Sequence, residues 1–485
     1  MKLADATLFR QQCFIDGKWC DAEKDSSIEV INPANGKVLG SVPRMGSVET
    51  RLAIEAADVA FKPWSGLPAK QRSNKLHKWF ELILEHQEDL AMLITLEQGK
   101  SLTEARGEIA YAASFIEWFA EEGKRAYGEV IPHTQDDKRY LVIKQAIGVV
   151  AAITPWNFPA AMITRKAGPA LAAGCPVVLK PASSTPYSAL ALAVLGERAG
   201  LPAGVFNVIT GISAEIGAEL TSNPLVKKIS FTGSTEVGKK LIAQSASTVK
   251  KVSMELGGNA PFLVFDDANL DDAVDGVMAS KFRNSGQTCV CTNRIYVQNS
   301  VYDCFVDKLH LAIRGLKVGN GLDSEIDQGP LIDLAAVEKV EEHIEDAVVK
   351  GGKIVCGGSR HSLGGSFFEP TLLVDANQEM KVASEETFGP LAPVFRFMED
   401  RQGIDMANAT EFGLAAYFYA SDMARIWRIA EAVESGMVAI NTGILSNEVA
   451  PFGGVKQSGL GREGSRHGLD EYLEMKYLCF GGIKQ

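Results

Sequence analysis

The chain has 485 residues, 46% apolar and 22% charged, a globular balance on a length that exceeds one hydrophobic core, so two or three domains are expected. Its 49 basic and 60 acidic residues leave a net charge of −11 without a long basic run, which speaks against nucleic acid or an anionic membrane surface as a partner. No apolar stretch reaches the roughly 18 residues of a membrane span, and MKLADATLFRQQCF lacks the features of a targeting segment, so a cytoplasmic protein is expected.

Residues 48–62 and 71–98 carry apolar side chains at helical spacing, with Gly99 as a stop. Short β-branched runs then appear at 149–154, 176–181, 206–210, 227–233 and 251–258, separated by helical stretches at 160–173, 185–199, 213–222 and 235–246. Strands this apolar, alternating with helices, specify a parallel sheet covered on both faces, with ligands at the carboxyl ends of the strands. A second α/β series follows at 262–266, 294–298, 353–356, 371–375, 392–397, 415–420 and 438–442. The expected fold class is α/β, with two α/β domains and a cleft between them. Residues 130–147 and 471–485 fit neither series and read as extended, partly apolar surface segments, candidates for contacts between subunits.

Several motifs fall at the ends of these strands. GLGREG, 459–464, matches a dinucleotide fingerprint in letters alone; only 21 residues remain after it, too few for the βαβ unit that fingerprint needs. GSTEVG, 233–238, follows a strand and opens a helix, where backbone N–H groups meet a phosphate, although a tight turn calls for glycine on conformational grounds alone. Lys180 in KPAS ends a neighbouring strand, as a phosphate or ribose partner or as a solvated cation. Glu255 in MELGG lies on an apolar strand end, where desolvation pushes a carboxyl toward general-base range; a loop hydrogen bond is the plain alternative. Asn157 in PWNFP is stiffened by two prolines and could donate to an oxyanion, or serve as an ordinary turn residue.

Six of the eight cysteines, Cys13, Cys20, Cys175, Cys304, Cys356 and Cys479, are scattered without partners at ligand spacing, so no metal centre is expected. The other two lie in NSGQTCVCTNR. Cys291 begins an apolar strand and suits a core; Cys289 follows a glycine-polar loop, where a reactive thiol has access. No histidine lies nearby to activate either, and spacing alone leaves the choice open.

Taken in order, PWNFP, KPAS, FTGSTEVG, MELGG, GQTCVC, EETFGP and PFGGVKQSGLGREG resemble the aldehyde dehydrogenase superfamily over essentially the whole chain, and within it the bacterial NADP-linked succinate-semialdehyde dehydrogenases. The resemblance implies a Rossmann-like cofactor domain (1–129 and 148–258), an α/β catalytic domain (259–470) and a small β oligomerisation element (130–147 and 471–485) of a homodimer or homotetramer. It implies Cys289 as nucleophile, Glu255 as general base, and Asn157 with the Cys289 backbone N–H as oxyanion hole. Lys180, Pro181, Ala182 and Ser183 would hold the adenosine ribose, and Trp156 would lie along the cofactor groove. Gly233, Ser234, Thr235, Glu236, Val237 and Gly238 would line its pyrophosphate region, and Glu386 and Phe388 would position the nicotinamide riboside. Relatives that transfer the acyl group to coenzyme A lack the glutamate, so Glu255 favours hydrolysis.

The narrower resemblance places Arg165, Arg283 and Ser458 around the far carboxylate of a small semialdehyde, a task that bidentate arginines suit. Glutarate semialdehyde, one methylene longer, is the close alternative, since a methylene discriminates by only about 1–3 kcal/mol. A non-catalytic protein on the same scaffold is the alternative from another class. Ser183, where NAD-preferring relatives often carry Glu, points to NADP as the preferred cofactor with NAD also usable. Cys291, two residues from Cys289, is a candidate redox partner forming a strained, easily reduced disulfide.

Overall fold

The computed structural model describes residues 2–23 and 26–483. Met1, Lys24, Asp25 and the last two residues of the 471–485 segment lie outside the described residues.

The first strand-helix series forms the parallel core of an eight-stranded sheet. Its five parallel strands lie side by side in the order Phe206–Val208, Val177–Lys180, Val149–Ile153, Val226–Thr232 and Lys251–Glu255. In chain order that is 3-2-1-4-5, the doubly wound arrangement, and the winding reverses beside Val149–Ile153, where such sheets bind ligands. All five strands are almost entirely buried, which their unbroken apolar runs require. Short antiparallel strands close both edges: Cys13–Ile15 and Lys18–Cys20 on one side, Gly459–Leu460 against Lys251–Glu255 on the other.

The second series forms a seven-stranded sheet running Lys353–Cys356, Thr371–Ala376, Leu391–Phe397, Thr292–Gln298, Ala260–Val264, Ala415–Tyr419, Met437–Ile440. Every pairing in it is parallel except the outermost, between Lys353–Cys356 and Thr371–Ala376. Glu129–Ile131, Arg139–Ala146 and Leu473–Phe480 make a separate three-stranded antiparallel sheet. Its side chains Val130, Met475, Tyr477 and Phe480 stay exposed.

Two helical expectations change. The stretch 71–98 is two helices, Ala69–Glu85 and Gln87–Gln98, broken at His86, whose ψ of 20° departs from the helical value. Gly99 ends the second in the left-handed conformation, φ 101°. A further helix, Leu102–Glu122, went unread. Ser101 caps it by accepting from the Glu104 N–H at 3.3 Å, and it packs along the helix Ala161–Ala173. Among the described residues no helix is long and apolar enough to cross a membrane.

Candidate active site

The doubly wound order brings Asn157, Lys180, Gly233 and Glu255 to one edge, because each follows or ends a parallel strand at its carboxyl end. Asn157 is held from both directions. Its backbone carbonyl accepts from Lys100 Nζ at 2.8 Å and from Asn284 Nδ2 at 3.0 Å. Its own Nδ2 donates to the Gln287 carbonyl at 3.0 Å, which leaves the second amide hydrogen free. Lys100 is fully buried against Glu108 Oε2 at 2.7 Å. The other oxygen of Glu108 receives the Ala160 and Ala161 N–H groups at 2.8 and 3.3 Å, so one carboxylate fixes both the Asn157 turn and the start of the helix bearing Arg165.

Cys289 arrives on a strained loop. Asn284, Ser285 and Gly286 all have positive φ, at 51°, 58° and 75°, a conformation that L side chains hold only when their surroundings enforce it. A Cβ on Gly286 would stand 2.1 Å from the Gly389 carbonyl, so the loop of Cys289 lies directly on the loop of Phe388. Cys289 is part-buried and lines a cavity of about 240 Å³ with Trp156, Asn157, Gly233, Ser234, Glu386, Phe388 and Lys339. Burial pushes its thiol up to about 12, while the charge of Arg165 pulls it down.

Glu255 is 2% exposed, and its Oε2 has no hydrogen-bond partner. It does not line that cavity, although its charge acts on Cys289. Burial raises its carboxyl well above the usual range, and the negative charge of Glu463 raises it further; Arg165, Lys166 and Arg462 oppose this.

Glu386 Oε1 accepts from the Gly258 N–H at 3.2 Å, and burial pushes its carboxyl up to about 7. Phe388, at φ 55°, packs edge-on against Trp156 with ring centroids 5.5 Å apart. Lys180 is 5% exposed. Among the described residues its Nζ donates only to the Pro181 carbonyl, at 3.1 Å, and desolvation lowers its ammonium to about 8. A buried cation without a counter-anion fits a ribose or phosphate group. Ala182 and Ser183 beside it are part-exposed.

In the 233–238 turn, Ser234 caps the helix Thr235–Ser245, and Thr235 Oγ1 accepts from the Gly257 N–H at 3.3 Å. Glu236 and Val237 face solvent. Gly238 is fixed by packing, since a Cβ there would meet Leu256 at 2.4 Å.

The three carboxylate candidates part company. Arg165 is 1% exposed; its Nε donates to Glu463 Oε2 at 2.5 Å, its guanidinium lies 4.0 Å from the Phe452 ring centroid, and its Nη1 and Nη2 have no partner. Lys166 pairs with the other Glu463 oxygen, so one carboxylate holds both cations. Arg283, part-buried over the Phe158 ring at 4.8 Å, forms no ion pair among the described residues.

Ser458 requires a correction. Its hydroxyl donates to the Gly257 carbonyl at 2.7 Å and accepts from the Gly413 N–H at 2.9 Å. A hydroxyl has one hydrogen to give, so Ser458 is a structural pin rather than a donor to substrate. Cys291 is wholly buried, its thiol donating to the Lys281 carbonyl at 3.1 Å; both Cys289 and Cys291 are free thiols.

Sequence reasoning missed Lys100, Glu108, Lys339 and Glu463. Glu463 stood in the rejected GLGREG motif, where an acidic residue between glycines was the available clue.

The family model "Aldehyde dehydrogenase family" matches residues 19–478. The chain is 66% identical over 483 residues to a glutarate-semialdehyde dehydrogenase of Pseudomonas aeruginosa, covering 100% of both chains. It is 66% identical over 481 residues to the succinate-semialdehyde dehydrogenase [NADP(+)] of Escherichia coli, covering 99% of this chain and 100% of that one. A solved structure described as an E. coli NADP-dependent enzyme superposes with a TM-score of 0.99 at 66% identity, covering 99% and 100% of the two chains.

Proposed function

The chain belongs to the aldehyde dehydrogenase family, and from that premise we propose that it oxidises succinate semialdehyde to succinate, with NADP as the preferred cofactor and NAD as a second. The observation that carries the substrate is Arg165: a buried guanidinium with two unpartnered N–H-bearing nitrogens, close enough for its charge to act on the Cys289 thiol. Such a group calls for an anion, and a bidentate carboxylate matches its fork. Arg283, with no ion pair of its own, is the second cation of that subsite.

Cys289 Sγ adds to the aldehyde carbon. The free Asn157 amide hydrogen and the Cys289 backbone N–H donate to the oxyanion that forms. A nicotinamide bound between Glu386 and Phe388 would supply the hydride acceptor that conversion of the thiohemiacetal to a thioester requires. Glu255, its carboxyl raised into general-base range, takes a proton from the water that hydrolyses the thioester. Lys180, Ala182 and Ser183 would hold the adenosine ribose with its 2′-phosphate, Gly233, Ser234 and the start of the following helix would meet the pyrophosphate, and Glu386 and Phe388 would position the nicotinamide riboside. We further read the three-stranded sheet, with its exposed apolar side chains, as the contact of a cytoplasmic homo-oligomer, and the two larger sheets as the cofactor and catalytic domains.

Steady-state cofactor reduction tests the reading, crossing NADP and NAD with succinate semialdehyde, glutarate semialdehyde and butyraldehyde. Glutarate semialdehyde belongs in the panel because the likeness to a dehydrogenase of that substrate is equally high. Succinate semialdehyde with NADP should give the highest kcat/KM, with butyraldehyde poorest. Equal turnover of butyraldehyde removes the carboxylate subsite, and no turnover of any aldehyde leaves the non-catalytic alternative.

A further inference from the structure

Tyr111 lies on the helix Leu102–Glu122, on the same stretch of chain as Glu108. Its ring packs edge-on against Phe115, with centroids 4.8 Å apart, and its hydroxyl is buried without a hydrogen-bond partner. A buried hydroxyl in that condition destabilises the empty protein. The Nη1 and Nη2 atoms of Arg165 are in the same condition. The phenol lies beside the Arg165 guanidinium, which holds its value down by contact as well as by charge, and within electrostatic reach of Arg283 and Cys289. Three buried polar atoms from two elements therefore lie together without a well-formed hydrogen bond among the described residues, within electrostatic reach of the Cys289 thiol, and only one of the two residues that bear them is charged.

We propose that Tyr111 is a specificity-determining residue, whose phenol O–H donates to the terminal carboxylate of the substrate alongside the N–H groups of Arg165. The proposal rests on the semialdehyde reading above and adds a neutral donor to it. A carboxylate has about four lone-pair sites, and a bidentate guanidinium engages two. A third donor on a rigid ring, braced by Phe115, fixes how far the carboxylate sits from Cys289. Burial raises the phenol above its ordinary value, so it keeps its hydrogen throughout the neutral range.

The test compares wild type with Tyr111→Phe, which keeps the ring and removes one oxygen. Two quantities are read: the ratio of kcat/KM for succinate semialdehyde to that for butyraldehyde, and the melting temperature with and without succinate. The ratio should fall about tenfold or more, the scale of a hydrogen bond to a charged group. Without ligand the variant should melt no lower than wild type, since the lost hydroxyl made no well-formed hydrogen bond among the described residues, while the rise in melting temperature given by succinate should shrink. A ratio within twofold of wild type, in an enzyme that itself prefers succinate semialdehyde, overturns the role of Tyr111 and leaves the semialdehyde reading intact. A wild type without that preference overturns both. A variant that fails to fold, or melts lower when empty, also overturns the proposal, because the hydroxyl would then have a structural partner.

Discussion

Glu463→Gln separates two jobs that one buried carboxylate performs. Glu463 is 3% exposed and lies between Arg165 and Lys166, each 1% exposed. Removing one member of a buried ion pair leaves an uncompensated charge and costs about 3–5 kcal/mol; the glutamine amide oxygen, still able to accept from one cation, places the variant toward the lower end. The second job is electrostatic. After burial, the charge of Glu463 is the largest influence raising Glu255, and Arg165 and Lys166 oppose it. Deleting that charge while the cations remain drives the Glu255 carboxyl down.

A general base works only when deprotonated, so the acid limb of kcat lies at the pKa of Glu255, and a raised pKa places that limb at higher pH. In Glu463→Gln the limb should move toward acid. Lys166, whose ammonium burial already lowers, can shed its proton and blunt the movement, but Arg165 stays charged and preserves its direction. Thermal denaturation and a pH profile of kcat under thioester-hydrolysis-limited conditions read the two effects separately. A lower melting temperature with an unmoved limb, or one displaced to higher pH, refutes the electrostatic link between Glu463 and Glu255.

Ser183→Glu should shift the NADP-to-NAD ratio of kcat/KM toward NAD on the order of tenfold or more, by repulsion of a 2′-phosphate; an unchanged ratio removes Ser183 from cofactor choice. Gly286→Ala introduces a Cβ 2.1 Å from the Gly389 carbonyl at φ 75°. It should lower stability by more than about 1 kcal/mol and kcat by roughly 100-fold as Cys289 is displaced; wild-type kinetics would refute the packing of the two loops. Ser458→Ala leaves the Gly413 N–H and Gly257 carbonyl unpaired and should cost about 1–3 kcal/mol, with the preference for succinate semialdehyde over butyraldehyde retained; a selective loss of that preference would restore Ser458 to the substrate. Peroxide inactivation should be reversed by dithiothreitol in wild type and not in Cys291→Ala, and equal reversal in both excludes Cys291 as the redox partner of Cys289.

The strands were legible because burial on both faces demands unbroken apolar runs such as VVAAI and VVLK, and the motifs were legible because they cap those runs. Their sideways order was not. Nothing in 459–460 announces an antiparallel partner for Lys251–Glu255, because two residues carry no periodicity. Helix Leu102–Glu122 escaped because Ala105, Ala112 and Ala113 make up much of its buried side, and alanine gives little apolar contrast. Arg165 and Glu463 stand 298 residues apart in the chain, so their pairing exists only in three dimensions. Ser458 misled for the opposite reason: the residue type suited a carboxylate, and only its hydrogen bonds reveal that the backbone already holds it.

Adjacent residues expose the logic of the site. Lys166 is buried and paired with Glu463; Arg165, equally buried, pairs through Nε alone and keeps two nitrogens without partners. Among the described residues, Arg165 and Glu255 are the charged side chains no more than 2% exposed that keep such atoms. Other buried charges nearby are satisfied: Lys100 by Glu108, and Glu97 by the Tyr187 and Ser188 N–H groups and the Ser188 hydroxyl. The two exceptions act on Cys289 with opposite sign, Arg165 lowering its thiol and Glu255 raising it. A carboxylate bound to Arg165 would cancel part of the one favourable field and leave the thiol harder to ionise. Carboxylate recognition therefore works against intrinsic thiol reactivity, and the gain must come from position: the aldehyde carbon is held over Cys289 by contacts at the far end of the substrate. An uncharged aldehyde meets the more easily ionised thiol but lacks that hold, so the preference between the two substrates measures how far orientation outweighs ionisation.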